Sequence, residues 1–149
     1  MGIVVDSSVF IRAERLRQPV ELNHWQHRGT PFLSAITVSE LLVGVHRANT
    51  DARREVRMQS VEHILSSMTV LDFDATVART HAALRAEMLR QGKPIGAHDL
   101  LIAATAKHHG VPVLTCNVAE FSQVPGLEVL DYESRTNSAS PSATQPPSP

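Results

Sequence analysis

The sequence has very few features that staple a chain or anchor it. It has one cysteine, Cys116, in 149 residues. No internal disulfide can form, which suits a reducing cytoplasm. No window approaches 18 uninterrupted apolar residues, so no transmembrane helix is expected and no membrane role. The first residues, Met1-Gly-Ile-Val-Val-Asp6, lack the basic region of a signal peptide. There is no excess of either charge: 14 Lys and Arg stand against 15 Asp and Glu, a net charge of −1. Without a global basic field, contact with a nucleic acid would need a local patch or a bound cation. No internal repeat is visible.

Composition divides the chain once. Residues 134–149 hold four of the nine prolines and five serines, with no aromatic and no aliphatic larger than Ala. Such a segment cannot bury enough surface to offset its ordering entropy, and it reads as a disordered Ser/Pro-rich tail. Residues 1–133 are then one domain, long enough for a core without staples.

Short apolar runs alternate with amphipathic ones along this domain. Ile3-Val4-Val5 reads as a buried strand ending in the cap residues Asp6-Ser7-Ser8, with Val9, Phe10 and Ala13 on the helix beyond. Pro19 opens a helix through Trp25, stopped by Gly29. A strand is expected at Pro31–Ser34. Thr37 then caps a helix with a stripe at Val38, Leu41, Leu42 and Val45. Asp51 to Ser67 is a long helix, Thr69 to Leu71 a strand, and Asp74 to Gln91 a helix closed by Gly92. Gly96 to Asp99 reads as a turn and Leu100 to His109 as a core helix. Strands follow at Val111–Thr115 and Leu127–Leu130. This order of βαβ units predicts an α/β fold with a parallel sheet covered on both faces. Ligands of such sheets gather beyond the carboxyl ends of the strands, where Asp6 and Asn117 fall.

Each acidic candidate has a structural explanation that competes with a functional one. Asp6 is a favoured helix cap, worth about 1 kcal/mol. Glu40 fits a capping box with Thr37. A helical wheel, however, turns it about 150° from the apolar stripe. Gly44, one turn on, leaves open space beside it at a cost near 1 kcal/mol against Ala. Asp99 precedes the most apolar helix of the chain, Leu100-Leu-Ile-Ala-Ala-Thr-Ala106. A carboxylate so placed is poorly solvated and needs a donor, a cation or a proton. Asn117 and Glu120 follow in what reads as a loop.

Ile-Val-Val-Asp6-Ser-Ser, Thr-Val-Ser-Glu40-Leu, His-Asp99-Leu-Leu-Ile-Ala-Ala-Thr-Ala and Leu-Thr-Cys-Asn117-Val-Ala-Glu120-Phe together resemble the PIN-domain ribonucleases. More narrowly, the chain resembles the VapC toxins of bacterial toxin–antitoxin pairs. The resemblance spans residues 2 to 133 and is most specific around Asp99. It implies a three-layer α/β/α sandwich with a central, mostly parallel sheet. It also implies a cytoplasmic, metal-dependent endoribonuclease that cleaves tRNA or rRNA. Asp6, Glu40, Asp99 and Glu120 would serve as catalytic residues and metal ligands for Mg2+, with Mn2+ as substitute. Asn117, Ser7 and His98 are placed beside them, against the substrate or behind the ligands. A VapB-like antitoxin and a homodimer are the implied partners. Asn117 stands where relatives often carry Asp, so an amide replaces a charge there.

Other chemistries fit less well. His24/His27 and His108/His109 come without a Cys pair or a His-Glu-x-x-His pattern, which argues against zinc. His81 reads as a core residue and Trp25 as packing. Arg12, Arg15 and Arg17, like Arg53, Arg54 and Arg57, read as solvated helix faces before RNA contacts. A haloacid-dehalogenase-like phosphatase needs an acid at Ser8, and a receiver domain needs paired acids after its first strand. The remaining alternative is a catalytically degenerate PIN-like interaction module, favoured only by Asn117.

Overall fold

A computed structural model describes residues 1–136. Five strands form one parallel sheet: β1 (Gly2–Val5), β2 (Thr30–Ser34), β3 (Thr69–Leu71), β4 (Val113–Thr115) and β5 (Val129–Asp131), in the order β3-β2-β1-β4-β5. Val4 pairs with Phe32 on one side and with Val113 on the other. The chain builds outward from β1 through β2 to β3, then crosses to β4 and β5 on the other flank. The switch point therefore lies between β1 and β4, where the carboxyl ends open a crevice.

The helices are α1 (Ser7–Leu16), α2 (Ala35–His46), α3 (Asp51–Ser67), α4 (Ala75–Gln91), α5 (Ala97–His108) and α6 (Val118–Phe121), with 3-10 turns at Asn23–Arg28 and Tyr132–Thr136. They cover both faces of the sheet. Period-two alternation sends Ile3 and Val5 into one core with Val9, Phe10, Trp25, Leu33 and Tyr132. Val4 enters the other, with Leu84, Met88, Leu100, Ile102 and Phe121. This is the expected three-layer sandwich. The Trp25 and Tyr132 rings stack at 5.4 Å, so Trp25 is a packing residue. His81 lies edge-on to Phe73; burial, then Arg85, lowers its pKa.

Several local expectations need correction. Pro19 opens no α-helix; the chain forms only the 3-10 turn Asn23–Arg28. Thr37 does not cap α2. Ser34 does, accepting from the Ile36 N–H at 3.1 Å, because the helix begins directly where β2 ends. The capping box of Thr37 and Glu40 therefore does not form, and Thr37 is buried inside the helix. Gly96 to Asp99 is no turn: α5 starts at Ala97, which puts Asp99 in its first turn. Strand β4 begins two residues later than Val111, and β5 is Val129–Asp131. The loop holding Asn117 and Glu120 is the one-turn helix α6. Asp74 and Gly92 bound α4 as expected, the carboxylate of Asp74 accepting from Thr76 and Val77 and Gly92 adopting φ 64°. The 3-10 turn ending at Thr136 runs three residues past the expected domain boundary; residues 137–149 of the expected tail lie outside the described residues.

Candidate active site

Four elements deliver the acidic residues to one edge of the sheet. Asp6 leaves β1 beside β4, its N–H bonded to the Leu114 carbonyl at 2.9 Å. It occupies the cap position of α1 but makes no side-chain capping bond. The carboxylate is only 2% exposed, and it is held from the far side, where Thr115 Oγ1 donates to Oδ2 at 2.9 Å. The other oxygen, Oδ1, is buried without a partner. An isolated buried acceptor is costly, and this oxygen has no hydrogen-bond donor to offset that cost.

Glu40 reaches the same region from α2. Ser7 Oγ donates to its Oε1 at 3.3 Å, and His98 Nδ1 lies 3.9 Å from Oε2. Burial, then the charge of Asp6, raises its pKa. Ser7 thus touches an expected site carboxylate directly. His98 is 66% exposed at the mouth, on the first turn of α5.

Asp99 carries the largest perturbation. Burial, then the charges of Asp6 and Glu120, push it up to about 7. Helix α5 precedes β4 and runs antiparallel to it, which is why its N-terminus arrives at the carboxyl edge. Asn117 Nδ2 points at Asp99 Oδ2 at 3.4 Å and donates to Glu120 Oε2 at 2.6 Å. The Gly96 N–H donates to Glu120 Oε1 at 2.6 Å. These two bonds hold Glu120 below the usual carboxylate range. Glu120 is partly exposed, and both its oxygens are occupied. A Cβ at Gly96 would stand 3.3 Å from Glu120 Oε1 and 3.6 Å from Asp99 Oδ2, so the glycine keeps the gap between these carboxylates open.

The sequence-predicted set is thus brought together: Asp6, Glu40, Asp99 and Glu120, with Ser7, His98 and Asn117 between and beside them. Sequence reasoning assigned no role to Thr115, Ser8 or Gly96. The available signal was a hydroxyl residue ending an otherwise apolar buried strand. The histidine pairs stay outside the cluster: His24 packs edge-on to Trp25, and His108 meets Thr76 and Thr80. Arg12 pairs with Glu133, and Arg57 with Glu14 and the Gly44 carbonyl.

The model of the PIN domain family matches residues 3–127. Ribonuclease VapC1 of Rickettsia felis is 38% identical, covering 91% of this chain and 99% of its own length. The tRNA(fMet)-specific endonuclease VapC of Shigella flexneri is 34% identical over 71% of this chain and 78% of its own. Among solved structures, DNA-bound VapBC from Salmonella typhimurium superposes with a TM-score of 0.79 at 28% identity, covering 89% of this chain and 98% of its own. FitAcB from Neisseria gonorrhoeae gives 0.74 at 32% identity, over 88% and 98%. With its parallel sheet, its switch-point carboxylates and these relatives, the chain belongs to the PIN-domain family, among the VapC ribonucleases.

Proposed function

We propose that the protein is a Mg2+-dependent endoribonuclease, with Mn2+ as a substitute, and the toxin of a toxin–antitoxin pair in the cytoplasm. One observation supports the cation: Asp6, whose Oδ1 is buried without a partner, belongs to a carboxylate cluster whose crowding helps push Asp99 up to about 7. Carboxylates crowded in this way repel, and a divalent cation relieves the conflict. The donors are all hard oxygens, as Mg2+ and Mn2+ prefer. Asp6, Glu40 and Asp99 would hold it, with Glu120 beside them. Among the described residues no three His, Cys, Asp or Glu side chains are grouped closely enough to hold a metal ion as they stand, so the carboxylates would have to draw together around it. When bound, the cation makes a water more nucleophilic and offsets charge developing on the phosphate.

The chain's own residues prepare that site. Thr115 holds Asp6 and Asn117 holds Glu120 through hydrogen bonds. Asp99, pushed up to about 7, is about half-protonated at neutral pH without a cation, and a bound cation would favour its ionised form. RNA as substrate is supported by the ribonuclease names of the VapC relatives, and tRNA by the tRNA(fMet)-specific endonuclease of Shigella flexneri. An antitoxin protein is supported by the VapBC complexes and by an apolar groove of about 990 Å³ between α1, α2 and α3. Ile11 and Val56 line it and Glu40 reaches into it. A homodimer completes the proposed assembly.

The test is cleavage of total RNA by purified protein, with 5′-end mapping, in Mg2+ and in chelator. Cleavage in Mg2+ alone is expected. A folded protein with neither cleavage nor a Mn2+-dependent thermal shift would instead be the degenerate interaction module that Asn117 suggests. The fourth acid is tested by Mg2+ titration of the rate. Glu120→Gln removes an anionic oxygen and should raise the Mg2+ requirement more than Asn117→Ala, within the roughly 10- to 100-fold span of such changes. The opposite order would place Asn117 against the cation.

A further inference from the structure

The buried Thr115 hydroxyl and the half-buried Ser8 hydroxyl form a chain of hydrogen bonds behind Asp6. The Cys116 N–H donates to Ser8 Oγ at 3.0 Å. Ser8 Oγ lies 3.2 Å from Thr115 Oγ1. Thr115 Oγ1 receives the Asn117 N–H at 2.8 Å and donates to Asp6 Oδ2 at 2.9 Å. Each hydroxyl has a single proton. Asp6 as a carboxylate can only accept, so the Thr115 proton goes to Oδ2. The Ser8 proton must then go to Thr115. The polarity of the whole chain is set: Cys116 N–H to Ser8, Ser8 to Thr115, Thr115 to Asp6.

We infer that Ser8 and Thr115 are positioning residues, a one-way hydroxyl relay that locks the Asp6 carboxylate by Oδ2 and so aims its partnerless Oδ1 into the acidic cluster. The inference rests on the cation reading above and deepens it. Asp6 is bound through one oxygen only, and rotation about its Cβ–Cγ bond would interchange the two. The relay opposes this by giving Oδ2 a fixed donor. Two backbone N–H groups, from Cys116 and Asn117, anchor the relay to the end of β4. Aligned hydrogen bonds in a poorly solvated setting polarise one another, so loss of the outer member weakens the inner one.

The experiment is Mn2+ binding by calorimetry on the full chain, read beside amide hydrogen exchange of the metal-free protein. Thr115→Val, close in shape but without the hydroxyl, should weaken Mn2+ binding about 10- to 100-fold, and Thr115→Ser should restore it to within about threefold. Equal affinity of wild type and Thr115→Val overturns the relay. A Thr115→Ser protein as weak as Thr115→Val assigns the effect to shape and overturns it too. If Thr115→Val does not fold, Ser8→Ala decides. It should speed Cys116 amide exchange about fivefold and weaken Mn2+ binding about three- to tenfold; unchanged affinity overturns the inference. The two failures separate in the wild type. Absence of Mn2+ binding there sinks the cation reading and this inference with it, whereas equal binding in wild type and variants sinks the relay alone.

Discussion

Asp99→Asn is expected to lose RNA cleavage by more than about 100-fold, beyond the usual effect of residues one layer behind a metal, while becoming more stable without a cation. The stability gain follows from proton linkage. The carboxyl is held at about 7 in the folded protein, against an ordinary 3.8. Between those values the folded chain keeps a proton that the unfolded chain has released. Stability therefore falls as pH rises from about 4 to about 7, then levels off. Asparagine carries no charge and removes that slope. Asp99 is half-buried, so solvent screens part of the effect. A rise in Tm of about 2–4 °C at pH 8 in chelator is the expected size, corresponding to ~1 kcal/mol in a domain of this length. At about pH 3, below both values, the two proteins should melt together. Calorimetry across that range, with RNA cleavage on the same samples, checks both halves. A folded Asp99→Asn protein with full activity would remove Asp99 from the site. This is the familiar conflict between stability and function.

Phe121→Ala should damage the fold and the site together. Phe121 is fully buried in the core formed by α4, α5 and β4. It is also the last residue of α6, the single turn that carries Glu120 and begins at Asn117. A four-residue helix has no stability of its own and depends on this ring. Removing a buried Phe side chain costs about 3–5 kcal/mol, a drop in Tm of roughly 6–20 °C at this size. The clip from Asn117 and the Gly96 N–H to Glu120 should loosen with it. In urea, Phe121→Ala should show a lower midpoint. At temperatures where it stays folded, it should need more Mg2+ for cleavage, whereas Phe121→Leu should retain most of both. A stable Phe121→Ala protein with normal Mg2+ dependence would show that α6 is positioned by other contacts.

Much of this protein could be read from local sequence. Ile3-Val4-Val5 is apolar on both alternating faces, which only a strand covered on both sides can use. Asp74 and Gly92 mark the ends of α4 through short-range chemistry, a side-chain cap and a left-handed φ. Asp6, Asp99 and Glu120 were legible because each lies at a strand end or helix start that the pattern of apolar residues defines, and Glu40 because a helical wheel turns it away from the apolar stripe of α2. The three-layer sandwich follows from the alternation of those elements.

Only the tertiary structure decided the rest, because it depends on contacts between segments far apart in the chain. Local sequence pointed to Thr37 as the cap of α2. The strand register, which ends β2 at Ser34, gave the cap to Ser34 instead. Gly96 to Asp99 looked like a turn until Glu120, 24 residues later, accepted the Gly96 N–H and completed the start of α5. Thr115 had no visible role at the site, because its partner Asp6 lies across the β1–β4 switch point, 109 positions away; Ser8 had none because its partner Thr115 is 107 positions away. The raised pKa of Asp99 depends on the same assembly. Its causes are burial and the charges of Asp6, Glu120 and Glu40, which come from three other segments and reach Asp99 only when the parallel sheet places their ends along a single edge.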